Sequence, residues 1–401
     1  MNPQSTPSLA ARHLWTRRAW LAASVAGLVT AGCSRRGAAI LPGTGEALRI
    51  LLPAGFFADL QHANASNLVR DDDTPMHVLT EFENKSDIKT DITSFSSNED
   101  LLRLLLADDA DYDVAMLPAF AAKRLQAMGW LAPLSRAEIP NLKGVDTKKF
   151  RLAFDPDLTV TVPYFWSVMG IAYNLDHVDS RPMSWGDFFA RNWKRDFSKL
   201  NVALFDNGPV TLATALIYMG KSPETANAQE IEAAGKLIGE LRGHAGSLEL
   251  RMWQKLAAGS VHLALALSGD VARAMRTNHR VRFALPREGS ILAISSLVAL
   301  RSPAERRALA AGTKPGEVLA RGKAAKFIDY MLQPEVVARL TNLSNFATTV
   351  PAARTAIARS ITHGAAYFSS ATGLDSHLDR IDEATLSVYN RVWRDVRSQW
   401  D

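Results

Sequence analysis

Beyond residue 47, apolar and polar positions alternate between two rhythms. Residues 48–52 form a short apolar run closed by Pro53 and Gly55, the pattern of a buried strand bounded by turn residues. Residues 75–84 then follow a helical period, with Pro75 at the position where a missing N–H costs nothing. Residues 88–93 alternate as a strand. Ser96 or Ser97 caps a helix that runs to Leu106, and Glu99 and Asp100 lie in its first turn, where acids suit the helix dipole. A strand over 114–117 and a helix over 121–128 complete a β-α-β-α-β-α series. That series predicts a mostly parallel sheet covered by helices.

The pattern is hardest to read at residues 162–174. Thr159 to Val162 are β-branched, which suits a half-buried pleat. Pro163 then removes a backbone donor, Tyr164, Phe165 and Trp166 follow in a row, and Ser167 to Gly170 read as a short break before a new strand at 171–175. Two structures fit: an extended crossing between two lobes with an aromatic plug at its middle, or a single strand with a bulge. Further on, helices are predicted over 185–192, 209–219, 231–241, 253–258, 271–276, 320–332, 334–343 and 384–396. Strands are predicted over 202–205, 261–267, 281–285 and 291–300.

The carboxyl ends of these strands supply the candidate ligand residues, because open α/β sheets bind ligands there. Phe56 and Phe57 follow the first strand and Phe120 the third. Asp206 and Asn207 follow the strand at 202–205. Ser268 and Asp270 open the helix at 271–276, with Asp270 as its cap. Tyr164 and Trp166 are placed to shape a cleft floor. Asp108, Asp109, Asp111 and Asp113 form the densest acidic run, but no Gly or closing Glu falls where a calcium loop requires one; a solvated loop is expected. The nine histidines show no metal-ligand spacing, and His262 reads as a core residue. No GxSxG, HExxH, phosphate-binding loop or dinucleotide fingerprint occurs. No metal, cofactor or enzyme chemistry is therefore expected.

With 401 residues, 47% hydrophobic and 22% charged, the chain suits two lobes of roughly 150 residues each. The formal charge of +5 is concentrated at the start: three of the 46 basic residues and none of the 41 acids lie in 1–32. Without that segment 43 basic residues face 41 acids, a net of +2, and they are dispersed, so nucleic acid is not an expected partner. Arg17 and Arg18 precede an uncharged run, 22–32, shorter than the roughly 20 residues that span a bilayer. This looks like a twin-arginine export signal. The single cysteine, Cys33, follows Thr30-Ala31-Gly32, which is similar to a bacterial lipoprotein box. The expectation is an export signal over 1–32, acylation of Cys33, a tether over 33–46, and a periplasmic protein held to a membrane surface.

Six stations appear in order: SSNEDLLRLLL at 96–106, DYDVAMLP at 111–118, VPYFW at 162–166, GDVARA at 269–274, LPREGSI at 285–291 and NFATTVPAAR at 345–354. In that order and spacing the chain resembles the periplasmic spermidine/putrescine-binding proteins of ABC transporters, within the bacterial extracellular solute-binding proteins. The resemblance implies an α/β, two-lobed type II periplasmic-binding-protein fold with the ligand cleft between lobes. Lobe 1 would comprise 47–166 and 296–347, and lobe 2 would comprise 167–295 and 348–401. A second crossing would fall near 293–296.

The departures from that family concern the ligand. Where polyamine binders carry Trp and Tyr after the first strand, this chain has Phe56 and Phe57. Their Ser and Tyr after the third strand correspond to Pro118 and Phe120. The Asp and Glu of the second lobe fall at Asn207 and Val210, with Asp206 adjacent. A Trp becomes Leu267, and the Trp and Asp of the second crossing become Ala293 and Ser295. Stacked aromatics and carboxylates suit a diammonium chain, and most are absent.

The expected function is a monomeric substrate-binding lipoprotein that closes about a hinge on a small solute, polyamine-like or less cationic, and presents it to an ABC permease. The expected ligand residues are Phe56, Phe57, Ser97, Phe120, Asp206, Asn207, Ser268, Asp270, Ser295 and Phe346. A sensing or assembly lipoprotein on the same fold is the alternative, followed by a periplasmic enzyme.

Overall fold

The computed structural model describes residues 47–53, 75–95, 98–107, 110–190, 200–243, 245–312, 322–364 and 378–400. Phe56, Phe57, Ser97, Cys33, the export segment, the tether and two of the acidic run, Asp108 and Asp109, lie outside them.

The first third follows the predicted series. It runs β1 (Leu48–Pro53), α1 (Pro75–Ser86), β2 (Thr90–Phe95), α2 (Asn98–Leu106), β3 (Val114–Pro118) and α3 (Ala119–Ala127). Strand β1 lies parallel to both β2 and β3. Buried Val78, Leu79 and Phe82 give α1 its inward stripe, and Phe82 meets Phe327 edge-on at 5.2 Å. The acidic run is not solvated throughout. Asp113 is buried, accepts from the Arg49 N–H and pairs with Lys323 at 3.1 Å. Asp111 pairs with the Arg49 guanidinium at 2.6 Å.

Strand β4 (Thr161–Asn174) is continuous and buried at all fourteen positions. The predicted interruption at Ser167 to Gly170 is absent. Gly170 marks a close approach instead: a Cβ there would lie 2.2 Å from the Phe283 ring and 2.7 Å from the Ala284 carbonyl. Its glycine lets a neighbouring strand come near. Pro163 causes only a register shift between Pro163 and Phe165, a bulge that absorbs the missing donor. One bulged strand thus spans both predicted segments and joins three cores. Val162, Tyr164 and Phe165 belong to a core with β1, β3 and α1. Trp166, Val168 and Ala172 belong to a second, and Met169, Ile171 and Tyr173 to a third.

The remaining elements are α4 (Gly186–Phe189), β5 (Val202–Phe205), α5 (Gly208–Tyr218), α6 (Ala228–Gly239), β6 (Ala245–Glu249), α7 (Met252–Ala257), β7 (Leu263–Leu267), α8 (Ser268–Met275), β8 (Val281–Ala284) and β9 (Leu292–Ala299). They continue with α9 (Pro303–Ala310), α10 (Gly322–Met331), α11 (Pro334–Ser344), β10 (Ala347–Thr348), α12 (Arg359–Thr362) and α13 (Glu383–Arg397). Strands β2-β1-β3-β9-β4-β7-β5-β6 are hydrogen-bonded in that order, and β8 and β10 also pair with β4. Strand β9 lies antiparallel to the first half of β4, and β7 and β8 to its second half. Helix α8 begins at Ser268, earlier than predicted. Asp270 therefore sits in its first turn and does not cap it. Strand β6 and helix α9 were not anticipated, although Ser302 and Glu305 form a capping box, which the sequence pattern S-x-x-E signals.

After β10 the chain stays with the first core, where Val350, Ala353, Ile357 and Ile361 are buried. Residues 378–396 pack into the third core through Leu386, Tyr389, Val392, Trp393 and Val396.

Candidate functional site

Three of the predicted residues, Phe120, Asp206 and Asn207, line one cavity of about 470 Å³. Each enters from the carboxyl end of a strand. Phe120 stands in the first turn of α3, directly after β3, and Arg124 lies four residues on, hence on the same helical face. It packs partly against hydrophobic residues of two separate cores. Asp206 and Asn207 link β5 to α5. Asn207 caps α5, its side-chain oxygen accepting from the Val210 N–H at 3.3 Å.

Beside Asp206 and Asn207, and across from Phe120, stands α13, which supplies Leu386, Asn390, Trp393, Arg394 and Arg397. Asn390, Arg394 and Arg397 are spaced i, i+4, i+7 and form one polar stripe beside the buried one. Asp382 starts this helix by accepting from the Thr385 N–H at 2.7 Å. Hydrogen bonding from the backbone and side chain of Thr385 holds the Asp382 carboxyl below its usual range. Trp393 is buried, and its indole packs against the backbone of Gly208, where a Cβ would fall 2.4 Å from Cγ. Only glycine allows that contact.

Charge in the cavity is mostly positive. Arg397 lies 3.3 Å from Asp206, and Arg124 lies 3.5 Å from Glu383 at the rim. Both guanidinia are partly exposed, so each pair contributes at most about 1 kcal/mol, and a ligand can compete for them. Two contacts from α3 reach the start of α13: the Arg124–Glu383 pair, and Lys123, which donates to the Ile381 carbonyl at 2.8 Å.

The other predicted residues gather elsewhere. Ser268 is fully buried. Its hydroxyl lies 3.0 Å from that of Ser167 and accepts from the Val168 N–H at 3.2 Å, while the Gly269 N–H donates to the Ser167 hydroxyl. Asp270 is buried in the next position but one. Phe346 packs on Gly269, where a Cβ would meet its ring at 2.9 Å. Ser295 pairs with Pro118 on one side and Phe165 on the other. The aromatic run is also packed. Tyr164 is buried and donates to the Met331 carbonyl at 3.0 Å, and Trp166 donates to the Thr348 carbonyl at 2.9 Å. Among the described residues no group of three or more His, Cys, Asp or Glu could hold a metal ion. His262 is half-buried, accepts from the Asn201 N–H and stacks on His177 at 3.5 Å.

Arg124, Trp393, Arg394 and Arg397 were not anticipated as site residues. The i, i+4, i+7 polar stripe of the last helix was visible in the sequence, but nothing local tied that helix to the loop after β5.

A two-lobed α/β sheet with a cavity at the carboxyl ends of β3 and β5 defines a solute-binding protein of the type II architecture. The family model described as bacterial extracellular solute-binding protein matches residues 77–362, and the chain belongs to that family. It is similar to the putrescine-binding periplasmic protein SpuD of Pseudomonas aeruginosa, 27% identical over 322 residues, which cover 75% of this chain and 83% of SpuD. The spermidine/putrescine ABC transporter substrate-binding protein PotD of Streptococcus pneumoniae superposes with a TM-score of 0.69. The match covers 89% of this chain and 100% of that one at 19% identity. The TpPotD lipoprotein of Treponema pallidum superposes with a TM-score of 0.67 at 18% identity, covering 88% of this chain and 99% of its own.

Proposed function

We propose that the chain is the substrate-binding lipoprotein of an ABC importer, monomeric, without enzymatic activity, and anchored at the periplasmic face of a membrane through Cys33. The observation that carries the binding role is the cavity whose walls come from segments of different cores, with Phe120 and Arg124 on one side and Asp206, Asn207 and α13 on the other. Strands β4 and β9 run side by side at the junction of those cores and act as the two crossings. The lobes then comprise 47–166 with 296–361, and 167–295 with 378–400. This moves the last return to lobe 2 later than residue 348, in keeping with the packing of Val350 to Ile361.

Binding proceeds by hinge closure, with Phe120 and Trp393 as apolar walls and the polar groups orienting the solute. Phe56, Phe57 and Ser97 remain proposed contacts. The solute is less cationic than spermidine, because the carboxylates a diammonium chain requires are replaced at Asn207, Val210 and Ser295. Calorimetry on the processed protein tests this: spermidine and putrescine are expected to bind weakly or not at all, and tight binding of either refutes it. For the anchor, Cys33→Ser should release the protein from the membrane fraction; retention would contradict lipidation.

A further inference from the structure

We propose that the cavity takes a small organic oxyanion, held by guanidinium groups from both walls. This deepens the solute-binding reading and rests on it.

The lining residues carry three guanidinia, of which Arg397 is ion-paired to the lining carboxylate Asp206 and Arg124 to Glu383 at the rim, both pairs partly exposed. Among the described residues no carboxylate pairs with Arg394. The stripe Asn390, Arg394, Arg397 places two guanidinia and an amide donor along one helical face, and Arg124 approaches from α3 opposite. Planar guanidinia match carboxylate and phosphoryl oxygens two bonds at a time. The start of α5 also meets the cavity at Gly208, adding the positive end of a helix.

A polyamine has no such reception. Its second ammonium would find no second carboxylate on the lining, and a closing cleft would desolvate it beside arginines. Elsewhere at the middle of β4, the aromatic faces that could stack a cation carry one from the chain itself. Lys149 Nζ lies 4.9 Å above Trp166 and 5.5 Å above Phe150. Closure without an anion has the reverse problem, since it encloses the Arg394 guanidinium with no carboxylate of the described residues to pair it. An oxyanion supplies that charge, so it stabilises the closed form selectively. A cavity of about 470 Å³ suits a small organic molecule.

The test is a thermal-shift and calorimetry panel on the processed full-length protein with acetate, glutarate, citrate, 2-aminoethylphosphonate, putrescine and spermidine. At least one of the four oxyanions should raise the melting point, and the carboxylate and phosphonate arms identify which headgroup is preferred. Arg394→Gln, at an exposed position, should keep the fold by circular dichroism and weaken that oxyanion roughly ten- to hundredfold. Asp206→Asn, which frees the Arg397 guanidinium, should raise the oxyanion affinity, and a loss of affinity would count against the inference. If instead a polyamine binds, gains affinity in Arg394→Gln and loses it in Asp206→Asn, the oxyanion inference is overturned while the solute-binding reading stands. If none of the four oxyanions binds, the inference is likewise overturned. If the polyamines also fail and native mass spectrometry finds no co-purified solute, the solute-binding reading falls with it.

Discussion

Two loop ends that look equivalent in sequence have opposite fates in the fold. The turn after β5 opens onto a cavity, whereas the turn after β7 is sealed. At the first, Asp206 is ion-paired to Arg397 of a helix far along the chain, yet it and Asn207 still line open space that Arg124 and Arg394 share. At the second, Ser268, Ser167 and two backbone N–H groups satisfy one another, and Phe346 lies over Gly269. Polar residues at a strand's carboxyl end thus mark a candidate ligand site only when what packs against them leaves open space, whatever partners they already have, as Asp206 has Arg397 and Asn207 has the Val210 N–H. The difference between Asn207 and Ser268 lies in what is packed against them, and only the first has open space.

The largest effect is expected for Trp393→Ala. It removes a buried indole that shapes the cavity wall and fills the third core, at a cost of about 3–5 kcal/mol. Chemical denaturation should show that loss, and solute affinity should fall with it. A stability change under 1 kcal/mol would show that the α13 wall is not the shared element it is taken to be. Ser268→Ala should cost about 1–3 kcal/mol, because the Val168 N–H is left buried without its acceptor. Here solute affinity should not change in a calorimetric titration. A drop in affinity with stability preserved would erase the distinction between open and sealed turns.

The smallest effect concerns the turn that leads into β4. Asp155 is buried and accepts from the N–H groups of Thr159, Val160 and Thr161 and from the hydroxyls of Thr159 and Thr161. Burial alone would raise its carboxyl, but those hydrogen bonds outweigh it and the net direction is down. Its folded value thus lies below the unfolded one, near about 3.9. The associated stability is fully present above that unfolded value and is lost as pH falls through the folded one. Denaturation curves measured downward from pH 6 should show this decline, and Asp155→Asn should flatten it. A decline unchanged in the variant would assign it to other carboxylates.

Much of the fold was legible locally. The β-α-β-α-β-α opening, the helix starting at Pro75 and the strand–loop–helix passage around Asp206 all follow from period, proline position and capping. The break at Ser167 to Gly170 was misread because small residues in a row look alike whether they end a strand or admit a neighbouring one. Gly170 does the second, since Phe283 occupies the space of its absent side chain. In the candidate site, Phe120, Asp206 and Asn207 were legible from their place after strands. Arg124 was equally close to that signal, four residues beyond Phe120, and needed only the helical period.

By itself, then, the sequence determined the order of elements, the α/β class and the ordered stations of the solute-binding family. Each is encoded by residues near one another in the chain. By resemblance it also implied that carboxylates of the polyamine binders are replaced here. The tertiary structure decided which side chains line the cavity. Residues near 206 and near 394 are almost two hundred positions apart, and no local pattern records that α13 returns to face the loop after β5. That meeting is fixed by the burial of Leu386, Tyr389, Val392 and Trp393 in the third core, which aims the adjacent, charged stripe of the helix at Asp206.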